Sequence, residues 1–388
     1  MAAPLAGLTL AHLGAEVIRI DPPGGSIDAT RWPLARDGSS LYWSGLNRAK
    51  KSICIDLKQP AGQALLHRML ADNGSDGGIL LTNLTGPDWL SFDSLKKHRS
   101  DLVMVDLTGH YDRTPAVDYT VNAALGIPFA TGPENIEGPV NHVLPAWDGI
   151  AGLTLATALL AAVRARDKTG QYQHLSVALS DVAMGFISNL GIIAEAELTQ
   201  TNRPRIGNHV YGTFGHSLRC KDQRFVMVVA ITKRHWQALV RTAGIESKVA
   251  QLEQKNNLDL NKDADRYLAR EAIAELLSEW SAQHDFTTIA EVLDKSGALW
   301  GPYQSFCQLI DEDSKASLAN PLFQQIDQPG AGSYRVAGST IRNNNAEESK
   351  PEAIAVPGKD TRQLLKEYGL DNTDIDTLIK QNIAEEPL

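Results

Sequence analysis

At 388 residues the chain is long enough for two domains, and its 43% hydrophobic and 21% charged residues are an ordinary balance for a globular protein. A net charge of −9 argues against a general nucleic-acid binder, which needs a basic surface to neutralise phosphates. Cys54, Cys220 and Cys307 lie far apart without a CxxC pair, which argues against a disulfide framework and fits thiols in a reducing compartment.

In chain order, Met1-Ala-Ala-Pro carries no basic stretch of the kind that opens a secretory signal, so a cytoplasmic location is expected. Ala2 to Leu13 reads as a helix. Glu16 to Ile20 reads as a short strand, stopped by Asp21-Pro22-Pro23-Gly24-Gly25. A helix ahead of the first strand points to an α/β unit whose opening strand lies upstream of Met1. Lys51 to Leu57 alternates as a strand, Gly62 to Leu70 follows as a helix, and Ile79 to Thr82 and Leu102 to Val105 are further strands. Strands and helices alternating at this spacing predict a parallel sheet with helices on its faces.

Gly149 to Arg166 reads as a helix that is apolar around much of its circumference and stops at Gly170. Its apolar run, Gly149 to Val163, is 15 residues, too short for a membrane span and suited to a buried helix. His174 to Leu179 is a strand, followed by a long helix near Asp181 to Leu198. After Asn202-Arg-Pro-Arg the character changes to a strand at Phe225 to Ala230 and amphipathic helices around Trp236 to Ala243 and Arg266 to Ala282. Residues 1–200 are expected to form a large α/β domain and 205–312 a smaller α+β domain. The segment 313–388 is expected to return to the large domain through a strand at Gly332 to Val336 and a helix at Thr361 to Tyr368. Asn343 to Lys350 reads as loop, and no internal repeat is found.

Few patterns carry chemistry. Asp21 ends a strand, where a nucleotide-binding sheet would place an acid, but the glycine fingerprint that should precede it is absent and Gly24-Gly25 reads as a turn. Arg48, Lys50, Lys51 and Lys58 bracket a strand beside Asn47. They suit either a phosphate group or a solvated edge that discourages strand pairing. No HExxH or CxxC occurs, so no metal site is expected. No GxSxG elbow occurs, and Cys54 sits mid-strand like a core residue. That leaves Asp148, in Asn141-His142-Val143-Leu144-Pro145-Ala146-Trp147-Asp148-Gly149, at the mouth of the long apolar helix. Its local sequence fits an N-cap as well as a nucleophile.

Whole blocks of the chain go further. Leu13-Gly-Ala-Glu-Val-Ile-Arg-Ile-Asp-Pro-Pro-Gly-Gly and Asn47-Arg-Ala-Lys-Lys-Ser-Ile-Cys-Ile-Asp-Leu resemble the opening blocks of the class III CoA-transferase family. That family includes formyl-CoA transferases, carnitine CoA-transferases and α-methylacyl-CoA racemases. Arg164-Ala-Arg-Asp-Lys-Thr-Gly-Gln-Tyr-Gln, Gly207-Asn208 with Tyr211-Gly-Thr-Phe, Gly301-Pro302 and Gly358-Lys-Asp-Thr fit as well. Val117-Asp-Tyr-Thr-Val-Asn, Leu125-Gly-Ile-Pro-Phe and Val140-Asn-His-Val-Leu-Pro-Ala-Trp-Asp are most similar to the branch that moves CoA between the C1 and C4 carboxyls of one unsaturated C5 dicarboxylate.

The resemblance implies an α/β fold, with a Rossmann-like parallel-sheet large domain plus a smaller α+β domain, in an interlocked homodimer. It implies acyl-CoA as substrate, coenzyme A only as part of that substrate, and no permanently bound cofactor, nucleic acid or membrane partner. Asp148 falls on the family's catalytic aspartate. Lys58 and Asn83 fall on positions that line the CoA nucleotide site in relatives, although an arginine that some relatives place further along is here Trp89, and Arg48 and Lys51 of the basic cluster join them as candidate CoA-binding residues. Tyr119, Asn122 and His142 are candidates to hold the substrate because they lie in the blocks nearest Asp148, and polar loop positions would look the same. Racemases carry a His at the position of Val117, so two-sided proton exchange is not expected. The implied chemistry is attack of Asp148 on a thioester to give an aspartyl–acyl anhydride. An intermolecular CoA-transferase acting on dicarboxylic acids and a CoA-binding protein without activity are the alternatives.

Overall fold

The computed structural model describes all residues except 72, 73, 75, 329, 330, 343, 345–355 and 388. Of the expected loop Asn343 to Lys350, all but Asn344 therefore lies outside the described residues. The chain opens with α1 (Ala2–His12), β1 (Ile18–Asp21), α2 (Leu41–Asn47), β2 (Lys51–Ile55), α3 (Pro60–Ala71) and β3 (Ile79–Thr82). It continues with α4 (Phe92–Leu95), β4 (Val103–Thr108), α5 (Asp118–Ala124), α6 (Ile127–Ala130), α7 (Ala146–Thr169), β5 (Gln173–Ala178), α8 (Leu179–Asn189) and α9 (Ile192–Thr199). Then come β6 (Phe214–Arg219), β7 (Phe225–Ala230), α10 (Lys233–Ala243), α11 (Glu246–Asn256), α12 (Asp263–Leu268), α13 (Arg270–Ser281), α14 (Phe286–Ser296), β8 (Leu299–Pro302) and α15 (Phe306–Glu312). The last elements are β9 (Phe323–Gln328), β10 (Gly332–Ala337), α16 (Thr361–Glu367), α17 (Asn372–Lys380) and β11 (Ala384–Glu385).

Contacts divide the chain into two compact units. The first comprises Met1–Leu125, Val143–Glu195 and Ser314–Leu388, and the second Gly126–His142 and Ala196–Asp313. Residues 126–142, expected within a 1–200 domain, thus cluster with the second unit. The cause is Arg205, whose guanidinium donates to the Phe129 carbonyl at 2.8 Å, the Ile136 carbonyl at 2.6 Å and the Gly138 carbonyl.

In the first unit β3, β4 and β5 form a parallel sheet, with Asp106 of β4 beside Ser176 of β5. β1 and β2 are also parallel, and β11 adds antiparallel to β2. The mixed α/β class with a parallel sheet is as expected. Ile53 and Ile55 of β2 bury against Leu65 and Met69 of α3 and Leu364, Leu365 and Ile375 of α16 and α17. That packing and a pair of bonds between Ser52 and Asp360 seat the C-terminal segment.

α7 corrects one expectation. It is 24 residues long and, by length and composition, apolar enough to cross a membrane. Within the unit it packs against α1, α8, β4 and β5, with Ala151 and Leu155 fully buried and Arg166 also buried near its end. Truncating Leu155 to Ala would cost on the order of 2–5 kcal/mol. The second unit is built on the antiparallel order β6-β7-β8. Phe214, Val226 and Val228 of that sheet pack against Trp236 and Leu239 of α10, Ile273 and Leu277 of α13, and Ile289 of α14.

Candidate active site

Asp148 stands in the first turn of α7, after Ala146 and Trp147, and Pro145 occupies the cap position. The N-cap reading of Asp148 is therefore overturned. The helix amide at this point is capped from 30 residues upstream, where Asp118 Oδ2 accepts the Asp148 N–H at 2.9 Å. Asp148's own carboxylate accepts no hydrogen bond among the described residues. Among the described residues its one charged neighbour within ion-pair reach is the Met1 amino group, 3.9 Å from Oδ2. The side chain is 21% exposed, enough for a reactant to touch it.

Three packing features hold this turn. Trp147 is buried, and its indole N–H donates to Asn122 Oδ1 at 3.1 Å. Asp118 and Asn122 are four residues apart on α5, which puts both on one helical face, against the start of α7. Gly152 lets α1 approach: a Cβ there would lie 3.0 Å from the Ala2 carbonyl oxygen and 3.0 Å from Leu5 Cδ2. Finally, buried Lys50 donates to the Pro4 carbonyl at 2.7 Å and to Asn47 Oδ1 at 2.9 Å, which ties α1 to α2. Burial pushes the Lys50 ammonium down to about 7, as expected for a cation with little water around it.

Burial also raises the pKa of Asp148 above the ordinary carboxylate value. The Met1 amino group opposes the rise, the charge of Asp118 adds to it, and Arg31 and Asp28 act more weakly in opposite directions. Arg31 lies 4.5 Å from the centre of the Tyr42 ring, and the Tyr42 hydroxyl feels the charges of both Asp148 and Tyr119. A half-buried carboxylate with no hydrogen bonds, aimed from a fixed backbone, is suited to attack an electrophilic carbon.

The other expected residues are distributed as follows. Asn122 is 1% exposed and holds Trp147, so it serves the scaffold rather than a substrate. Tyr119 is 45% exposed on α5. His142 is half-buried and belongs to the second unit. Arg48 and Lys51 stand otherwise than expected. Arg48 is buried and donates to the carbonyls of Gly45 and Ala337, while Lys51 pairs with Glu16 at 2.7 Å and Glu367 at 3.4 Å. Lys51 also opens β2, whereas Lys58 follows its far end, so the two do not converge. Lys58 and Asn83 are exposed, each just past the C-terminal end of a parallel strand, the edge where open α/β sheets take ligands. Among the described residues no cluster of three or more His, Cys, Asp or Glu side chains is arranged to hold a metal ion.

The residues that sequence reading missed are Asp118, Arg31 and Tyr42. No local pattern marks Asp118, because its partner is 30 positions away.

The chain belongs to CoA-transferase family III, whose model matches residues 1–361. The chain is 41% identical, over all its length and 95% of the relative, to the 2-methylfumaryl-CoA isomerase of Chloroflexus aurantiacus. It is 23% identical to the succinyl-CoA:mesaconate CoA-transferase of Haloarcula marismortui, over 96% of this chain and 94% of that one. A CAIB/BAIF family protein from Brucella suis has the same fold, with a TM-score of 0.76 at 24% identity over 95% of this chain and 96% of that one.

Proposed function

We propose that this class III CoA-transferase moves CoA between the C1 and C4 carboxyls of 2-methylfumaryl-CoA, using Asp148 as the nucleophile. The observation that carries the proposal is the carboxylate of Asp148, fixed through its backbone, half-buried and free of hydrogen bonds. The full-length similarity to a 2-methylfumaryl-CoA isomerase supports the choice of acyl group.

Asp148 attacks the C1 thioester carbonyl. A C–O bond forms, the C–S bond breaks, and CoA thiolate leaves an aspartyl–acyl anhydride. The thiolate then attacks the aspartyl carbonyl, which frees the diacid and leaves an aspartyl thioester. The diacid turns, and its C4 carboxylate attacks that thioester to give a second anhydride and thiolate again. Attack of the thiolate on the C4 carbonyl completes the transfer and returns Asp148 to its carboxylate.

No external base is needed because every nucleophile is already an anion. The first turn of α7 favours the charged form of Asp148 by only about 0.3–1 kcal/mol, which burial more than offsets. Most of the acceleration comes from holding thiolate and diacid beside Asp148, an effect on the order of 7–11 kcal/mol when geometry is good. Lys58 and Asn83 are the groups we assign to the CoA nucleotide. We assign Arg31 and Tyr119 to the free carboxylate, because a planar guanidinium matches a carboxylate in two-point contact.

We also propose a homodimer of the interlocked type. Leu153, Leu160, Met184, Phe186 and Leu190 on α7, α8 and the turn after it are all more than 40% exposed, an apolar set that favours covering by a second copy.

The test of function is incubation of the purified protein with 2-methylfumaryl-CoA alone, followed by separation of the regioisomers. Appearance of the 4-CoA ester with no acceptor acid is the expected result. Turnover only after a free dicarboxylate is added would replace this reading with an intermolecular transferase.

A further inference from the structure

The first turn of α7 is held by a side chain to which the reaction steps above give no role. Asp118 is 2% exposed, and its Oδ2 accepts the Asp148 N–H at 2.9 Å. Its Oδ1 is buried and has no hydrogen-bond partner among the described residues. A dry carboxylate oxygen is costly. Ser, Thr or Asn would cap the same amide without burying a charge, so capping alone does not account for an aspartate here.

We propose that Asp118 is a positioning residue for acyl transfer, fixing the backbone of Asp148 and setting a second negative charge behind its carboxylate. This rests on the assignment of Asp148 as nucleophile. Two consequences follow from the geometry. Asp118 and Asn122 grip successive residues of α7, the amide of Asp148 and the indole of Trp147, so the turn cannot rotate about the helix axis without breaking both bonds. The charge of Asp118 also makes Asp148 hold a proton, and by the same electrostatics an acyl carbon, more tightly. The other groups that bear on Asp148 are the Met1 amino group on α1, Arg31 and Asp28 in the turn before α2, and Tyr42 on α2. The two cations pull its proton affinity down and Asp28 pushes it up, with Asp118 the stronger of the two anions that keep it basic.

The test is the pH profile of isomerisation of 2-methylfumaryl-CoA to its 4-CoA ester, measured for the full chain and for Asp118→Asn and Asp118→Glu. Asp118→Asn keeps an acceptor for the Asp148 amide. It is expected to fold, to lose about tenfold in turnover through poorer aim and a weaker nucleophile, and to shift the acid limb to lower pH. Asp118→Glu keeps the charge, so its acid limb is expected to stay near the parent position although turnover falls. An acid limb that does not move in Asp118→Asn overturns the proposal at any turnover, since a purely structural cap has no means of moving it. If Asp118→Asn does not fold, Asp118→Ser, whose hydroxyl accepts the same amide, is judged by the same two outcomes. Asp148→Ala separates the two assignments. Isomerisation that survives it removes Asp148 as nucleophile, whereas an unmoved limb in an enzyme that Asp148→Ala silences removes only the role given to Asp118.

Discussion

At Asp148 two demands conflict. Burial favours the protonated acid, while the proposed nucleophilic attack requires the anion, and Arg31 pulls against burial to keep the anion accessible. With its pKa raised, the residue makes activity fall as acid is added at a pH above the ordinary carboxylate range. The kcat profile should therefore show an acid limb displaced upward from the value of a free Asp, and a limb at or below that value would contradict the described surroundings. The same shift fixes the sign of a stability effect. A carboxyl whose folded pKa exceeds its unfolded one destabilises the fold above the folded pKa, and the cost disappears below the unfolded pKa. Asp148→Asn is accordingly expected to abolish turnover and to raise Tm by about a degree or two at neutral pH, with the gain vanishing near pH ~3. Calorimetry across that range decides, and a loss of stability at neutral pH would show that the carboxylate is better solvated than described.

At the scale of elements, the turn proposed to carry the nucleophile depends on α1 and α5 being seated tightly against α7. Gly152 is a point of close approach to α1. Gly152→Ala would gain helix propensity, but its Cβ would meet the Ala2 carbonyl at 3.0 Å, and backbone cannot yield as a side-chain tip can. It is expected to cost roughly 1–3 kcal/mol of stability and, by shifting α1, to lower kcat about tenfold or more; kinetics and denaturant titration test both parts. Unchanged values would mean that α1 yields freely.

β3 and β7 were legible to the residue because sheet burial writes itself into the local sequence, whereas β2 stops at Ile55 rather than Leu57 and β4 runs from Val103 to Thr108. Helix breaks were less so. One helix was read over Arg266 to Ala282, yet α12 ends at Leu268 and α13 begins at Arg270. Arg266 is fully buried and turned onto the carbonyls of Leu260 and Ile231, a tertiary demand that hydrophobic spacing does not reveal. The interruption between α8 and α9 does have a signal in the sequence, Gly191, which takes φ +75°.

For the whole molecule, the family was legible because blocks from Leu13 to Gly358 agree with one another, and the family's model matches residues 1–361. Asp148 was readable as a candidate for the same reason. The parts of the site that were not readable are those formed by folding, namely Asp118 reaching across to α7, Asn122 consumed by Trp147, and Arg48 turned inward. Identity of residue gives donor and acceptor types, whereas the partner that occupies each group is set by packing between segments far apart in sequence. The exposed apolar residues of α7 and α8 lead to an expected dimer in light scattering at micromolar concentration, and a monomer would leave that surface without the proposed cover.

The most direct measurement is mass spectrometry of the peptide bearing residue 148 after turnover of 2-methylfumaryl-CoA in the presence of hydroxylamine. Conversion of the Asp148 side chain to its hydroxamate, dependent on substrate and absent from other aspartyl residues, is the result expected of an acylated nucleophile. An unmodified Asp148 under full turnover would contradict it.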